Sequence, residues 1–376
     1  MAIMSTHIRR FLTSRRALPM WCLAITLTCS DCFGTDTPKV VMIHPGQEGR
    51  YPVQRLESVT GKPEPLGTLG GYDISELRSP VSVSSMGKVM AQDSNGYLWF
   101  VETREDKELR IDTKTLEMTA FQLPAGAAPY AIAIDSNNVH WLTAHGIEML
   151  IESHPEDGYC IAHQPPSKGF LIHINADKET GAIWFSQPGN SQVVRYSAET
   201  GFKEFPLPTP QAGPGRLDFD KFHNLWVPEL YYSKLAKLNM DTGKWQEWEL
   251  PTKDALPAYC RVDDDGAVWI SEPMADKIAY FKDGTFHEFR IPTEGSVVST
   301  TIRDPQNRIW FTEGGWRGSL GGNKLGILEP ETGDIKEFLL PTKNAQPLGL
   351  ILAKDGTIWF QESAAGKIGR ATPRPM

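Results

Sequence analysis

Five glutamates stand three residues after a tryptophan: Glu102, Glu229, Glu272, Glu313 and Glu362. Carboxylates gathered at one place have the chemistry of a hard-cation site, because Mg2+ and Ca2+ take oxygen ligands that carry charge. On that reading Glu272 and Glu313 are the candidates for a metal. The residues that accompany the glutamates support a second reading. Lys107, Lys234, Lys277 and Lys367 each follow their glutamate by five residues, and Lys324 holds the same place after Glu313 once an insert is removed. The two equivalents that lack the glutamate, Ala144 and Gln187, are followed by Met149 and Gln192 instead of lysine. Glutamate and lysine occur together or not at all. That is what a cross-strand pair over a turn requires, and it is the expectation here.

Other chemistry is thinly represented. The nine histidines are scattered through different parts of the chain, with His145 in a turn and His173 on or near a strand start. There is no Gly-rich phosphate loop, no His-Glu-x-x-His pair and no serine nucleophile elbow. The remaining candidates are aromatic and basic. Tyr130, Arg216, Tyr259 and Gln346 fall beside strand starts, as does Ser299, and Arg261 and Arg303 fall further along their strands. Trp316 and Arg317 lie on the insert. Aromatics and arginines at a concave opening suit an anionic or cyclic ligand.

These residues are positioned by a repeat. Trp99, Trp141, Trp184, Trp226, Trp269, Trp310 and Trp359 are spaced by 42, 43, 42, 43, 41 and 49 residues. Each lies within the same pattern: an apolar stretch, an Asp, apolar-Trp-apolar, a polar turn, an alternating run, then an acidic-aromatic-apolar strand ending in Pro. Glu204-Phe205-Pro206-Leu207-Pro208-Thr209 and Glu288-Phe289-Arg290-Ile291-Pro292-Thr293 are two such endings. Four short strands per unit, with turn residues between them, make one antiparallel propeller blade. Strands A to D run from the central channel outward, and the tryptophan sits on B. A single blade cannot bury both faces, so the tryptophans are core residues between blades. The fold expected is therefore all-β, a seven-bladed propeller of four-stranded blades over residues 50–371, with 372–376 as a tail. The last repeat lacks a strand D, and an N-terminal strand must supply it to close the ring. Tyr51-Pro52-Val53-Gln54-Arg55-Leu56-Glu57 has the right character, which leaves 58–80 as a long loop. The 49-residue spacing comes from the insert at 314–322, in the B–C turn of blade 6. The D–A and B–C turns line one mouth of the channel. With the insert and the long loop both belonging to it, this is the face expected to carry a site.

The chain has a net charge of −8 and no basic stripe, which argues against a nucleic-acid partner. Residues 1–34 read as a signal peptide: Arg9, Arg10, Arg15 and Arg16 precede an apolar run from Ala17 to Thr28, with Ser30 and Gly34 as cleavage points. That run is too short to span a bilayer, so a periplasmic or secreted protein is expected, monomeric and without a membrane span after cleavage. Residues 35–49 read as a linker. Cys160 and Cys260 remain after cleavage, but their places in the repeat hold them too far apart to bond.

The repeat resembles the virginiamycin B lyase (streptogramin lyase) family. Asp355-Gly356-Thr357-Ile358-Trp359-Phe360-Gln361-Glu362 with Gly366-Lys367-Ile368-Gly369-Arg370 carries the resemblance, and Ile309-Trp310-Phe311-Thr312-Glu313 with Asn323-Lys324-Leu325-Gly326 repeats it. The resemblance spans all seven repeats. It implies a propeller, and an activity that opens cyclic depsipeptide antibiotics by elimination, with Mg2+ and a histidine base. It places the histidines at the start of strand A in the last two blades, where this chain has Ser299 and Leu348. The glutamate it implies just before falls on Gln346. Proton removal loses its base and the ion loses a charged oxygen ligand. The expectation is therefore a relative that binds a small-molecule or protein ligand at the mouth. The alternatives are a diverged carbon–oxygen lyase, a metal-dependent lactonase-type enzyme, or a scaffold.

Overall fold

A computed structural model describes residues 41–81, 86–314 and 322–375, with the side chains of 86–88 left aside. Strands dominate because each repeat alternates apolar and polar residues between Gly-, Asp- and Asn-containing turns. They form seven antiparallel sheets, one per repeat, with strands A to D hydrogen-bonded in sequence order. Strand B is buried on both faces in every blade, as in Leu98–Glu102 and Ile358–Glu362. All seven marker tryptophans are buried between blades, as expected. In five blades an aspartate at the end of strand A accepts the indole N–H. The pairs are Asp93–Trp99 (3.0 Å), Asp135–Trp141 (3.1 Å), Asp220–Trp226 (2.8 Å), Asp263–Trp269 (2.7 Å) and Asp304–Trp310 (2.9 Å). The recurrent Asp thus serves a buried donor that would otherwise be costly.

Ring closure follows the expected principle but uses a different strand. Strand D of blade 7 is Tyr72–Arg78, paired with Lys367–Pro373, and not the stretch from Tyr51 to Glu57. Buried Tyr72, Ile74 and Leu77 give it the inward face that the earlier stretch lacks. Residues 58–80 are accordingly not a long loop. Glu64–Leu69 adds a fifth strand outside Tyr72–Arg78. Gln54–Thr60 is a fifth strand on blade 1, and Gly49–Pro52 a fifth strand on blade 2. Residues 41–49, assigned to the linker, make contacts of their own: Ile43 is buried among core residues of blades 1 and 2, and its N–H bonds the Ala125 carbonyl at 3.1 Å. The proposed signal segment and the insert residues Trp316 and Arg317 lie outside the described residues. No described helix is long and apolar enough to cross a membrane. Cys160 and Cys260 are free and buried, on strand D of blade 2 and strand A of blade 5.

Candidate ligand-binding mouth

Every glutamate at the end of strand B faces its lysine across the ladder: Glu102–Lys107, Glu229–Lys234, Glu272–Lys277, Glu313–Lys324 and Glu362–Lys367. The ion pair itself forms elsewhere. In blades 4 to 7 the ammonium group binds a glutamate on strand D: Lys234 to Glu247 at 3.1 Å, Lys324 to Glu337 at 2.7 Å, Lys277 to Glu288 and Lys367 to Glu76. A threonine from the preceding D–A loop completes each group (Thr209, Thr252, Thr293 and Thr342), hydrogen-bonded to the same glutamate and lysine. The expected pair over the turn is thus a four-residue cluster that ties one blade to the next. Its strand-B glutamates are fully buried, and the carboxyl oxygens of Glu229, Glu272, Glu313 and Glu362 have no hydrogen-bond partner. Burial, then the strand-D carboxylate, pushes all four up to about 8. Burial favours their protonated form and each lies beside an ammonium group, which is poor ground for a cation. The other blades keep only parts of the cluster: in blade 1 Lys107 binds Glu105 and Ala120 stands at the strand-D position, and blade 3 retains Glu204 on strand D without the lysine. In blade 3, Gln192 donates to Gln187 at 2.7 Å, while blade 2 has apolar Ala144, Met149 and Ala162.

The mouth is built by the beginnings of strands A. Tyr130 of blade 2 packs edge-on against His173 of blade 3 at 5.8 Å, and His173 packs edge-on against Tyr259 of blade 5 at 5.1 Å. These rings span the opening between blades that are not neighbours. His145, in the B–C turn of blade 2, stacks between Tyr130 (5.7 Å) and Phe170 (4.4 Å), and Phe170 is 54% exposed. Burial lowers the His145 pKa, so the imidazole is neutral, and its Nδ1 is buried without a partner.

Arg216 enters the mouth from blade 4. Its N–H bonds the Ala258 carbonyl at 2.9 Å, and its carbonyl accepts from Cys260, which pins it against strand A of blade 5. Gly215 permits the approach, since a Cβ there would press on the Ala258 carbonyl. Further down, Arg261 pairs with Asp218 at 3.7 Å and Arg303 with Asp263 at 2.8 Å. Asn175 also donates to Asp218, at 2.9 Å.

Of the residues singled out from sequence, Tyr130, Arg216, Tyr259 and Arg261 come together on one side of the mouth. Ser299 is buried and Gln346 half-buried on blades 6 and 7, and they share no hydrogen bond or ring contact with those four among the described residues. His173, Asn175 and Asp218 complete the polar side. Their register carried the signal: Asn175, Asp218 and Arg261 stand directly opposite the marker tryptophans, and His173, Arg216 and Tyr259 stand two residues earlier. The family's Mg2+ does not suit the donors at the implied positions, a hydroxyl, an amide and a hydrocarbon from Ser299, Gln346 and Leu348. Two cavities, about 400 and 230 Å3, lie at the opposite end of the blades, around Trp226–Trp248 and around Arg110–Glu156.

Fold and mouth together define a seven-bladed propeller with an arginine- and aromatic-lined opening. Residues 70–242 and 172–375 match the model of the virginiamycin B lyase family, and the chain belongs to that family. It is 25% identical over 192 residues to virginiamycin B lyase of Nocardia farcinica, a match that covers 51% of this chain and 62% of that protein. It is also similar to a solved streptogramin B lyase, at 25% identity and a TM-score of 0.72, covering 80% of this chain and 97% of that one. A catalytically inactive histidine-to-alanine variant of the Staphylococcus aureus virginiamycin B lyase, solved with quinupristin, has the same TM-score of 0.72 at 24% identity, covering 80% of this chain and 99% of that one.

Proposed function

We propose that this protein is an exported, monomeric member of the family that binds a ligand at the D–A/B–C mouth and does not open cyclic depsipeptides. The observation that carries the reading is the meeting of Tyr130, His173 and Tyr259 across the opening, opposite a wall where Ser299 and Leu348 stand in place of a base. Residues at strand starts held by packing from several blades make a preorganised surface. The arginine-led start of the chain and its short apolar run support export, which N-terminal sequencing of the mature protein tests.

A second reading has one specific support. His145 is a neutral imidazole with an unpartnered nitrogen at the same mouth, and a neutral imidazole is the form that accepts a proton. On this reading the chain is a lyase whose base has moved from blades 6 and 7 to blade 2. One experiment separates the two. The protein is incubated with quinupristin, with and without Mg2+, and followed by chromatography and mass spectrometry, with binding read by calorimetry. Binding without ring opening is expected. Ring opening at unchanged mass that is lost in His145→Ala establishes the lyase reading instead.

A further inference from the structure

The channel does not balance its own charge. Among the described residues strand A of blades 4 to 6 brings three guanidinium groups to the channel, Arg216 and Arg261 near the mouth and Arg303 at the far end, with two carboxylates, Asp218 and Asp263. Arg261 takes Asp218 and Arg303 takes Asp263, at 3.7 and 2.8 Å. Asp218 is further occupied by Asn175 and by the Val262 N–H at 3.0 Å. Among the described residues Arg216 has no ion pair and no side-chain hydrogen bond. Its surroundings do not favour a solitary cation. Burial lowers its pKa first and the nearby Arg261 lowers it further, with the Asp218 charge acting in the opposite sense. Arg216 is half-buried, and a guanidinium held by backbone bonds on both sides with no salt bridge of its own has its fork of donors open to an anion.

The register shows where the polar residues of strand A lie. Opposite the seven marker tryptophans, strand A carries Ala91, Ala133, Asn175, Asp218, Arg261, Ile302 and Ile351, in blade order. Blades 3 to 5 are polar in this row, and blades 1, 2, 6 and 7 are hydrocarbon. The row two residues earlier divides in the same way, with His173, Arg216 and Tyr259 against Val89, Ala131, Thr300 and Gly349. Val89, Ala131, Ala133, Thr300 and Ile302 are buried in the packing between blades, so the polar side chains of strand A are concentrated in blades 3 to 5.

We propose that the mouth takes a small organic carboxylate, its carboxylate on Arg216 and Arg261 and its hydrocarbon part against the rings of the mouth around Tyr130 and Phe170. This deepens the reading of the mouth as a ligand site and rests on it. A planar fork of donors suits a carboxylate, and a hydrocarbon body gains from the exposed rings what a bare inorganic anion does not.

Calorimetric titration of the mature protein with phenylacetate, its neutral isostere phenylacetamide, inorganic phosphate and quinupristin tests the assignment. Phenylacetate is expected to bind, with phenylacetamide and phosphate each weaker by roughly tenfold or more, as loss of a charge-assisted contact or of the apolar contact implies. Arg216→Gln should weaken phenylacetate by a similar factor, and Arg216→Lys by less. Should Arg216→Gln fail to fold, Arg261→Gln replaces it, because that side chain is 48% exposed. Equal binding of the amide, or unchanged affinity in the folded glutamine variant, overturns the carboxylate assignment. So does the absence of any phenylacetate signal. If quinupristin still binds in that case, the mouth remains a ligand site of other chemistry. If nothing binds, the ligand-site reading falls with the carboxylate.

Discussion

Lys277 stands directly across the ladder from Glu272 but gives its ammonium group to Glu288 on the next strand. Glu272 is left buried with no hydrogen-bond partner, and burial followed by the Glu288 charge pushes it up to about 8. Glu229, Glu313 and Glu362 are likewise pushed up to about 8, by burial and by the strand-D carboxylate. A carboxyl whose folded pKa lies above its unfolded value of 4.5 binds more protons when folded. Its contribution to stability is complete below the unfolded pKa and is lost as pH rises through about 8. Thermal melts should therefore show the midpoint falling between pH 6 and pH 9. The double variant Glu272→Gln, Glu313→Gln should flatten that slope, because an amide keeps the shape and cannot ionise. An unchanged slope in the double variant contradicts the assignment.

Blades 6 and 7 carry a matched pair of sizes. Phe360 faces Gly369, and Phe311 faces Gly326, where smaller Val227 and Ile270 face Ala236 and Ala279. A Cβ on Gly369 would run into the Phe360 ring. Gly369→Ala should destabilise by about 1–3 kcal/mol through overpacking. Adding Phe360→Ile, the pairing blade 5 already uses, should restore most of it. Denaturant titration of the two variants reads this as a coupling energy.

The seam makes a third prediction. The strands at Gly49–Pro52 and Gln54–Thr60 are outer additions to complete blades, whereas Tyr72–Arg78 is strand D of blade 7 and supplies Glu76 to its cluster. A chain starting at Lys62 should fold cooperatively with a lowered midpoint, since Ile43 and Val53 are lost from the core. A chain starting at Ser79 should not form a closed ring. Circular dichroism and gel filtration of both truncations test this.

The two remaining thiols should be inert in the folded protein. Burial pushes Cys160 up to about 12, and Cys260 is raised as well while its thiol points at the Arg216 and Trp226 carbonyls. Alkylation by iodoacetamide, read by intact mass, should stay near zero at pH 8 and reach two adducts in denaturant.

The blade count and core were legible because the tryptophan spacing is a one-dimensional signal. The seam was harder. Tyr51–Glu57 and Tyr72–Arg78 both read as strands, and the deciding feature is Glu76-Leu77-Arg78-Ser79-Pro80, which repeats the Glu-to-Pro spacing of Glu288–Pro292. The glutamate–lysine coupling was legible as coupling. Its geometry was not, because Thr252 and Glu288 enter the cluster from a neighbouring loop and an outer strand. At the mouth, Arg216 and Tyr259 were visible at strand starts. The meeting of Tyr130, His173 and Tyr259 across an open ring depends on how far the side chains reach over the channel, and spacing alone does not give that.

The belt formed by residues 49–78 runs over blade 2, then blade 1, then into blade 7, against the direction in which the blades succeed one another. The residues of Tyr72–Arg78 leave the ribosome before any blade exists, yet their partner strand, Lys367–Pro373, is among the last to be made. The ring is therefore latched from its oldest end. Until synthesis is complete, that strand has no ladder to join, and blade 7 is sealed only in the final act of folding, whereas blades 1 and 2 can take their outer strands once Tyr159–His163 has been made.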